Sequence, residues 1–121
     1  MAKVFNHMIM IKSKILPETW GSMEWLVDDA LIAGANMSAA LMILKPGQSG
    51  VPHRHPNCHE FVYLIQGAVE QSLDDRKAQL VANDSVFIPL GTVHSARNTG
   101  SDDAKMLITY SEGKRIYEKV D

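Results

Sequence analysis

Turn-forming residues cut the chain roughly every eight to twelve positions, which leaves room for short strands and little else. Pro46-Gly47, Pro52, Pro56-Asn57, Gly67, Asn83-Asp84 and Pro89-Leu90-Gly91 are the clearest breaks. Between the breaks, residues 4–11, 22–27, 37–45, 60–66, 68–73, 77–81, 85–88, 94–98 and 105–110 read as strands. Asp74-Asp75-Arg76 has the polarity of a hairpin turn between two of them. Helical character is confined to residues 26–33, which have no cap and no 3.6-residue stripe. No internal repeat, low-complexity tract or linker divides the chain, so residues 1–121 are expected to form one domain. Many short strands that must bury one face each close into an all-β sandwich or barrel.

Within that pattern, His53, His55, Glu60 and His94 stand out. His53 and His55 are two residues apart, so on a strand they share one face. Pro52 and Pro56 bracket them and cannot donate to a ladder, which confines the pair to a short or edge segment. Glu60 and His94 can join them from neighbouring strands. Three imidazoles and a carboxylate around one point suit a divalent transition metal, whereas a closed structural zinc site is usually rich in cysteine. Four protein ligands on an octahedral ion would leave two adjacent positions for water, substrate or dioxygen. If Glu60 points inward, parity sends Val62 and Leu64 inward and Phe61, Tyr63 and Ile65 outward. Inward His94 brings Ala96 and Asn98 with it. The outward apolar face then needs cover, and a homodimer would provide it.

The same stretch resembles the two signature motifs of the cupin superfamily. Gly47, His53, His55, Glu60 and Gly67 meet the first motif, over residues 47–67. Pro89, Gly91, His94 and Asn98 meet the second, over residues 83–98, with Asn83 in place of its first glycine. Asn is among the residues best able to take the positive φ a glycine there suggests. The resemblance implies a double-stranded β-helix, or jelly-roll, barrel with the metal inside it. Cupins include dioxygenases, isomerases, decarboxylases, lyases and non-catalytic binding proteins. The favoured expectation is dioxygenase-like oxygen chemistry on a small chelating substrate, with Fe(II) preferred over Mn, Ni, Zn, Cu or Co. A metal-dependent isomerase or lyase is the second reading, and a ligand-binding or sensing cupin the third. The second needs a base beyond the metal ligands.

Side chains near the ligands supply candidates for further catalytic roles. Arg54 lies between the two histidines, His59 precedes Glu60, and Tyr63 is on the same predicted strand. Strand parity sends all three away from the metal, so a role in catalysis would require local distortion. Tyr110 is a second phenol, with packing as its default. Cys58 is either a buried inert thiol or a fifth ligand. Gln48 and Gln71 are possible polar groups of the pocket, and His7 reads as a surface or interface residue. Gly47, Gly67 and Gly91 are expected at positive φ, Asp84 to cap the turn after Asn83, and Pro89 to set the approach to His94. Met37, Met42 and Met106 are expected in the core.

Composition narrows the partners. The chain has 121 residues, 45% of them apolar and 21% charged, with a formal net charge of -2. That charge disfavours non-specific binding to nucleic acid, which requires a basic surface. No apolar run approaches the length of a membrane helix. Residues 1–14 lack the continuous apolar core and the cleavage site of a signal peptide. The single cysteine cannot form an intrachain disulfide and fits a reducing cytoplasm. No nucleophile elbow, phosphate loop or paired catalytic carboxylates are present. The expected partner is a small molecule.

Overall fold

The computed structural model describes the backbone of residues 2–5 and 8–121, and side chains from residue 8 onward. Thirteen strands run in chain order: β1 (Ala2–Phe5), β2 (Met8–Ile11), β3 (Lys14–Glu18), β4 (Gly21–Val27), β5 (Ser38–Leu44), β6 (His53–Arg54), β7 (Glu60–Gln66), β8 (Ala68–Leu73), β9 (Arg76–Val81), β10 (Ser85–Ile88), β11 (His94–Asn98), β12 (Ala104–Tyr110) and β13 (Glu118–Lys119). Among the described residues there is no helix. β1 and β2 pair with each other. The others form a six-stranded sheet in the order β10-β7-β12-β5-β4-β3 and a five-stranded sheet in the order β13-β6-β11-β8-β9, all pairs antiparallel. This is the two-sheet jelly roll that the strand spacing and motifs led us to expect.

Strand parity holds where one face is buried. Glu60, Val62 and Leu64 are buried on β7 while Phe61 and Ile65 are exposed, and Ala104, Met106, Ile108 and Tyr110 alternate inward on β12. Apart from Glu60, these inward residues meet Leu44, Val69 and Ile88 in one apolar core. At about 25 cal/mol per Å² of apolar surface removed from water, each such aliphatic side chain contributes ~1.5–3 kcal/mol. The register between β12 and β7 slips between Lys105 and Met106, which keeps Met106 opposite Leu64 and buried.

The structure departs from the sequence reading in four places. Residues 4–11 are not one strand: β1 and β2 are separate and pair antiparallel, Val4 opposite Ile9. β3 was not anticipated, because Pro17 breaks the strand signature and all five of its residues are exposed. β13 was not anticipated either, because two residues carry no alternation to read, whereas residues 26–33 hold no helix, in keeping with their missing cap and stripe. The Asp28 carboxylate accepts from the N–H groups of Ala30 and Leu31 at 3.0 and 2.8 Å, offering the backbone a local turn instead. Met37 is 49% exposed, whereas Met106 is 1% exposed as expected and Met42 packs partly buried against the core. His7 lies outside the described residues.

The turn chemistry follows expectation. Gly47, Gly67 and Gly91 have φ of 75°, 96° and 80°, and Asn83 takes 79°. The Asp84 carboxylate accepts from the N–H of Val81 at 2.9 Å and closes that turn. The two motifs also bond to each other. Gly91 N–H donates to the His55 carbonyl at 2.9 Å, and Asn98 N–H to the Gln48 carbonyl at 2.9 Å.

Candidate metal centre

Three strands, β6, β7 and β11, deliver His53, His55, Glu60 and His94 to one point. His53 on β6 lies directly opposite His94 on β11 in the five-stranded sheet. Glu60 begins β7 in the facing sheet, between Ile88 of β10 and Tyr110 of β12. His55 follows β6. One ligand atom from each of the four residues lies within 4.8 Å of the others. His55, Glu60 and His94 are 2%, 5% and 3% exposed.

The outer nitrogens of the rings are all occupied. Nδ1 of His53, His55 and His94 lies 2.8, 2.8 and 2.9 Å from the carbonyl oxygens of Val51, Ile116 and Thr92. A carbonyl has no proton to give, so each Nδ1 carries one and donates it. A neutral ring with Nδ1–H leaves a lone pair on Nε2, and backbone carbonyls are the partners that orient metal-ligating imidazoles in this way. Three Nε2 lone pairs and a carboxylate therefore converge. Nε2 of both His55 and His94 sits 3.1 Å from the same Glu60 oxygen. The His94 contact has the geometry of a hydrogen bond and His55 Nε2 is buried with no hydrogen-bond partner, but with the proton on Nδ1 neither neutral ring has one to give from Nε2. Buried acceptors that face one another need a cation or a proton between them. This donor set fits a divalent metal ion.

The electrostatics keep His53 neutral and Glu60 ionised, the forms in which each can act as a ligand. Burial, with the neighbouring His94 and His55 and against the Val51 hydrogen bond, lowers His53 to about 4. Burial works to raise the Glu60 carboxyl, but the close contacts and charge of His55 and His94 prevail and hold it at about 2. For His94, burial works downward and the Glu60 carboxylate more than offsets it, so the net direction is up.

The cluster opens into a cavity of about 500 Å³, within the range that takes small ligands. Its walls include Met23, Trp25 and Met42 from one side and Ala96 and Gln71 from the other, with Val62, Met106 and Ile108 behind. The apolar lining expected from parity is present. Gln71 is 2% exposed and donates to the Ser95 carbonyl at 2.9 Å. Gln48, the other polar candidate, is exposed outside the cavity.

Several candidates do not reach the site. Arg54 points to solvent and pairs with Glu118 at 2.8 Å. The His59 ring accepts from Leu90 N–H at 3.0 Å and lies against Phe87 on the outside. Tyr63 donates to Asn83 at 2.7 Å. None of the three lines the cavity, because each sits one residue out of phase with an inward position. Cys58 is buried outside the four-residue cluster, and burial raises its thiol pKa. Tyr110 does line the cavity, with its ring edge to His55 at 5.2 Å. Burial, reinforced by the Glu60 carboxylate, holds its phenol protonated well above its ordinary range.

Sequence reasoning missed the C-terminal wall. Tyr117 stacks on His53 with centroids 4.6 Å apart, Ile116 supplies the carbonyl that fixes His55, and Arg115 lines the cavity. The only signal in the sequence was a cation beside aromatic and apolar residues in Arg115-Ile116-Tyr117.

A family model described as "Cupin domain" matches residues 40–110. The protein named polyketide synthase CurC of Streptomyces cyaneus is 31% identical over 91 residues, 75% of this chain and 59% of its own length. Oxalate decarboxylase of Lactobacillus farciminis, solved as a formate complex, aligns with a TM-score of 0.81 at 22% identity, over 89% of this chain and 33% of that one. Oxalate decarboxylase of Bacillus subtilis, in a structure concerned with its Mn(II) centres, gives 0.80 at 20% identity, over 88% and 30%. At these identities the decarboxylases establish the fold. The chain spans 59% of CurC and about a third of each decarboxylase. Among the described residues no helix is long and apolar enough to cross a membrane.

Proposed function

The chain belongs to the cupin family, and from that premise we propose that it is a metal-dependent small-molecule enzyme whose ligands are His53, His55, Glu60 and His94. The observation that carries this reading is the convergence of three Nε2 lone pairs and a buried carboxylate, with every Nδ1 already tied to a backbone carbonyl. The ion, Fe(II) before Mn, Ni, Zn, Cu or Co, would supply Lewis acidity and, in every case but Zn, a redox couple for dioxygenase-like oxygen chemistry. The protein residues do the rest. The backbone carbonyls of Val51, Thr92 and Ile116 hold the rings in place, and Met23, Met42, Val62 and Ile108 keep water from a small chelating substrate. The relative named a polyketide synthase favours β-dicarbonyl substrates, since a polyketide chain repeats that unit.

Isomerase or lyase chemistry needs a positioned base. Arg54, His59 and Tyr63 face away, and burial first among causes raises both Tyr110 and Tyr117. Glu18 is the only other carboxylate of the lining, and it is exposed. Oxygen chemistry does not require such a group, which is why it is preferred.

Element analysis of protein purified without added metal is the first test, and a protein that refuses divalent ions would remove the reading. The Fe(II)-loaded protein should consume oxygen with a member of a β-diketone and catechol panel. Turnover under strict anaerobiosis would refute oxygen chemistry, and tight binding without turnover would leave a sensing role. Exposure of Phe61, Ile65 and Phe87, at 40%, 40% and 57%, supports a homodimer through the outer face. A monomer by light scattering at micromolar concentration would count against it.

A further inference from the structure

Arg115 is the one guanidinium in the cavity lining. It is half-buried, and among the described residues it makes no ion pair and donates no hydrogen bond. It lies over the rings of Trp25, Tyr110 and Tyr117, at 5.1, 5.2 and 5.2 Å from their centroids. Tyr110 and Tyr117 in turn touch His55 and His53, so the cation stands one ring away from the ligand cluster. Cation–π contacts steady such a group while leaving its N–H donors free.

Its backbone is fixed independently of that side chain. Asn57 spans Arg115 on both sides: its Nδ2 donates to the Lys114 carbonyl at 2.9 Å, and its Oδ1 accepts from Ile116 N–H at 2.9 Å. The Gly113 carbonyl accepts from Asp29 N–H at 2.9 Å. The fold thus presents an unpaired planar cation to a mostly apolar cavity. Glu18 and Lys119 also line the cavity, but both are exposed and their charges offset.

We propose that the cavity binds a small anion with a two-oxygen chelating group at one end and a carboxylate at the other, and that Arg115 selects the carboxylate. The chelating end rests on the function proposed above, and the carboxylate end rests on Arg115 alone. A guanidinium offers parallel N–H donors at the spacing of the two carboxylate oxygens, and a site with few competing protein acceptors strengthens that contact. An exposed lysine would attract anions without preferring that shape.

The test compares 2,4-dioxopentanoate, its methyl ester and acetylacetone by calorimetry, on zinc-loaded and on metal-free protein. Wild type should prefer the acid to the ester by about ten- to a hundredfold in both forms, as expected for a charge-assisted pair. Arg115→Gln should bring acid and ester within about threefold, with ester affinity and bound zinc unchanged. Arg115→Lys should keep part of the preference. Equal binding of acid and ester by wild type overturns the proposal, as does a preference that survives Arg115→Gln. Equal loss of all three ligands in Arg115→Gln also overturns it, because Arg115 would then only brace the rings. No binding of any probe at millimolar concentration does the same. If zinc tightens acetylacetone but the acid has no advantage, the selecting role fails and the chelating site stands. If the acid preference holds and zinc adds nothing, the chelating site fails instead.

Discussion

Asn98 closes the second motif, yet it does not line the cavity, and its replacement should be felt in stability. Its side chain is 1% exposed and makes three hydrogen bonds. Nδ2 donates to the carbonyls of Leu44 and Asp102, both at 2.8 Å, and Oδ1 accepts from Gly100 N–H at 2.8 Å. These bonds tie the end of β11 to the end of β5 and to the loop before β12, which joins the two sheets behind the site. Asn98→Ala strands two carbonyls and one N–H. At roughly 1 kcal/mol net for each hydrogen bond, the loss is about 3 kcal/mol. A chain of this length has an unfolding entropy of about 0.25 kcal/mol/K, so Tm should fall by about 12 °C.

Asn98→Asp separates this account from a simple loss of packing. The shape is retained and Gly100 keeps its acceptor, but an anionic oxygen replaces the donor to two carbonyls. Asn98→Asp should therefore melt below Asn98→Ala at pH 7. Burial and the two carbonyls would raise the folded-state pKa of the introduced carboxyl. Stability relative to wild type is then best at low pH and is lost as pH rises through the ordinary carboxyl pKa of about 3.9 toward that raised value. Calorimetric melts at pH 4 and pH 7, on protein stripped of metal so that ligand linkage does not enter, measure both effects. A fall of under about 4 °C for Asn98→Ala, or an Asn98→Asp variant as stable as Asn98→Ala at pH 7, would refute the reasoning.

Two further outcomes follow from the site and its turns. His53→Ala and His94→Ala should lose bound metal by element analysis while keeping the β-sheet circular dichroism of the wild type. Collapse of both folds would mean that an ion holds the fold together instead of serving a reaction. Gly67→Ala combines a φ of 96° with a Cβ placed 2.9 Å from Ala104 Cα, whereas Gly47→Ala, at 75°, meets nothing within 4 Å. Strain plus overpacking should cost Gly67→Ala ~2–4 kcal/mol, and strain alone should cost Gly47→Ala about 1 kcal/mol. Urea unfolding would show the order, and equal losses would contradict it.

What could be read in the sequence was whatever its cause kept local. β7, β8, β10 and β11 have the ends expected of them, because alternation and turn residues fix them within a few positions. β3 escaped, because an edge strand of exposed residues carries no burial pattern to read. The four candidate ligands were legible through their spacing together with the two family motifs, since β6 and the starts of β7 and β11 present them directly. Arg54, His59 and Tyr63 were suggested by closeness along the chain, but a neighbour on a strand faces the other way. The residues that complete the pocket come from the opposite circumstance. Ile116 lies 61 positions from His55, and Arg115 reaches Trp25 only after β12 has crossed the sheet. No periodicity or motif encodes contacts that chain closure creates. The candidate ligands thus lie in the motifs, whereas the wall that would meet a substrate is completed where the C-terminal segment folds back over them.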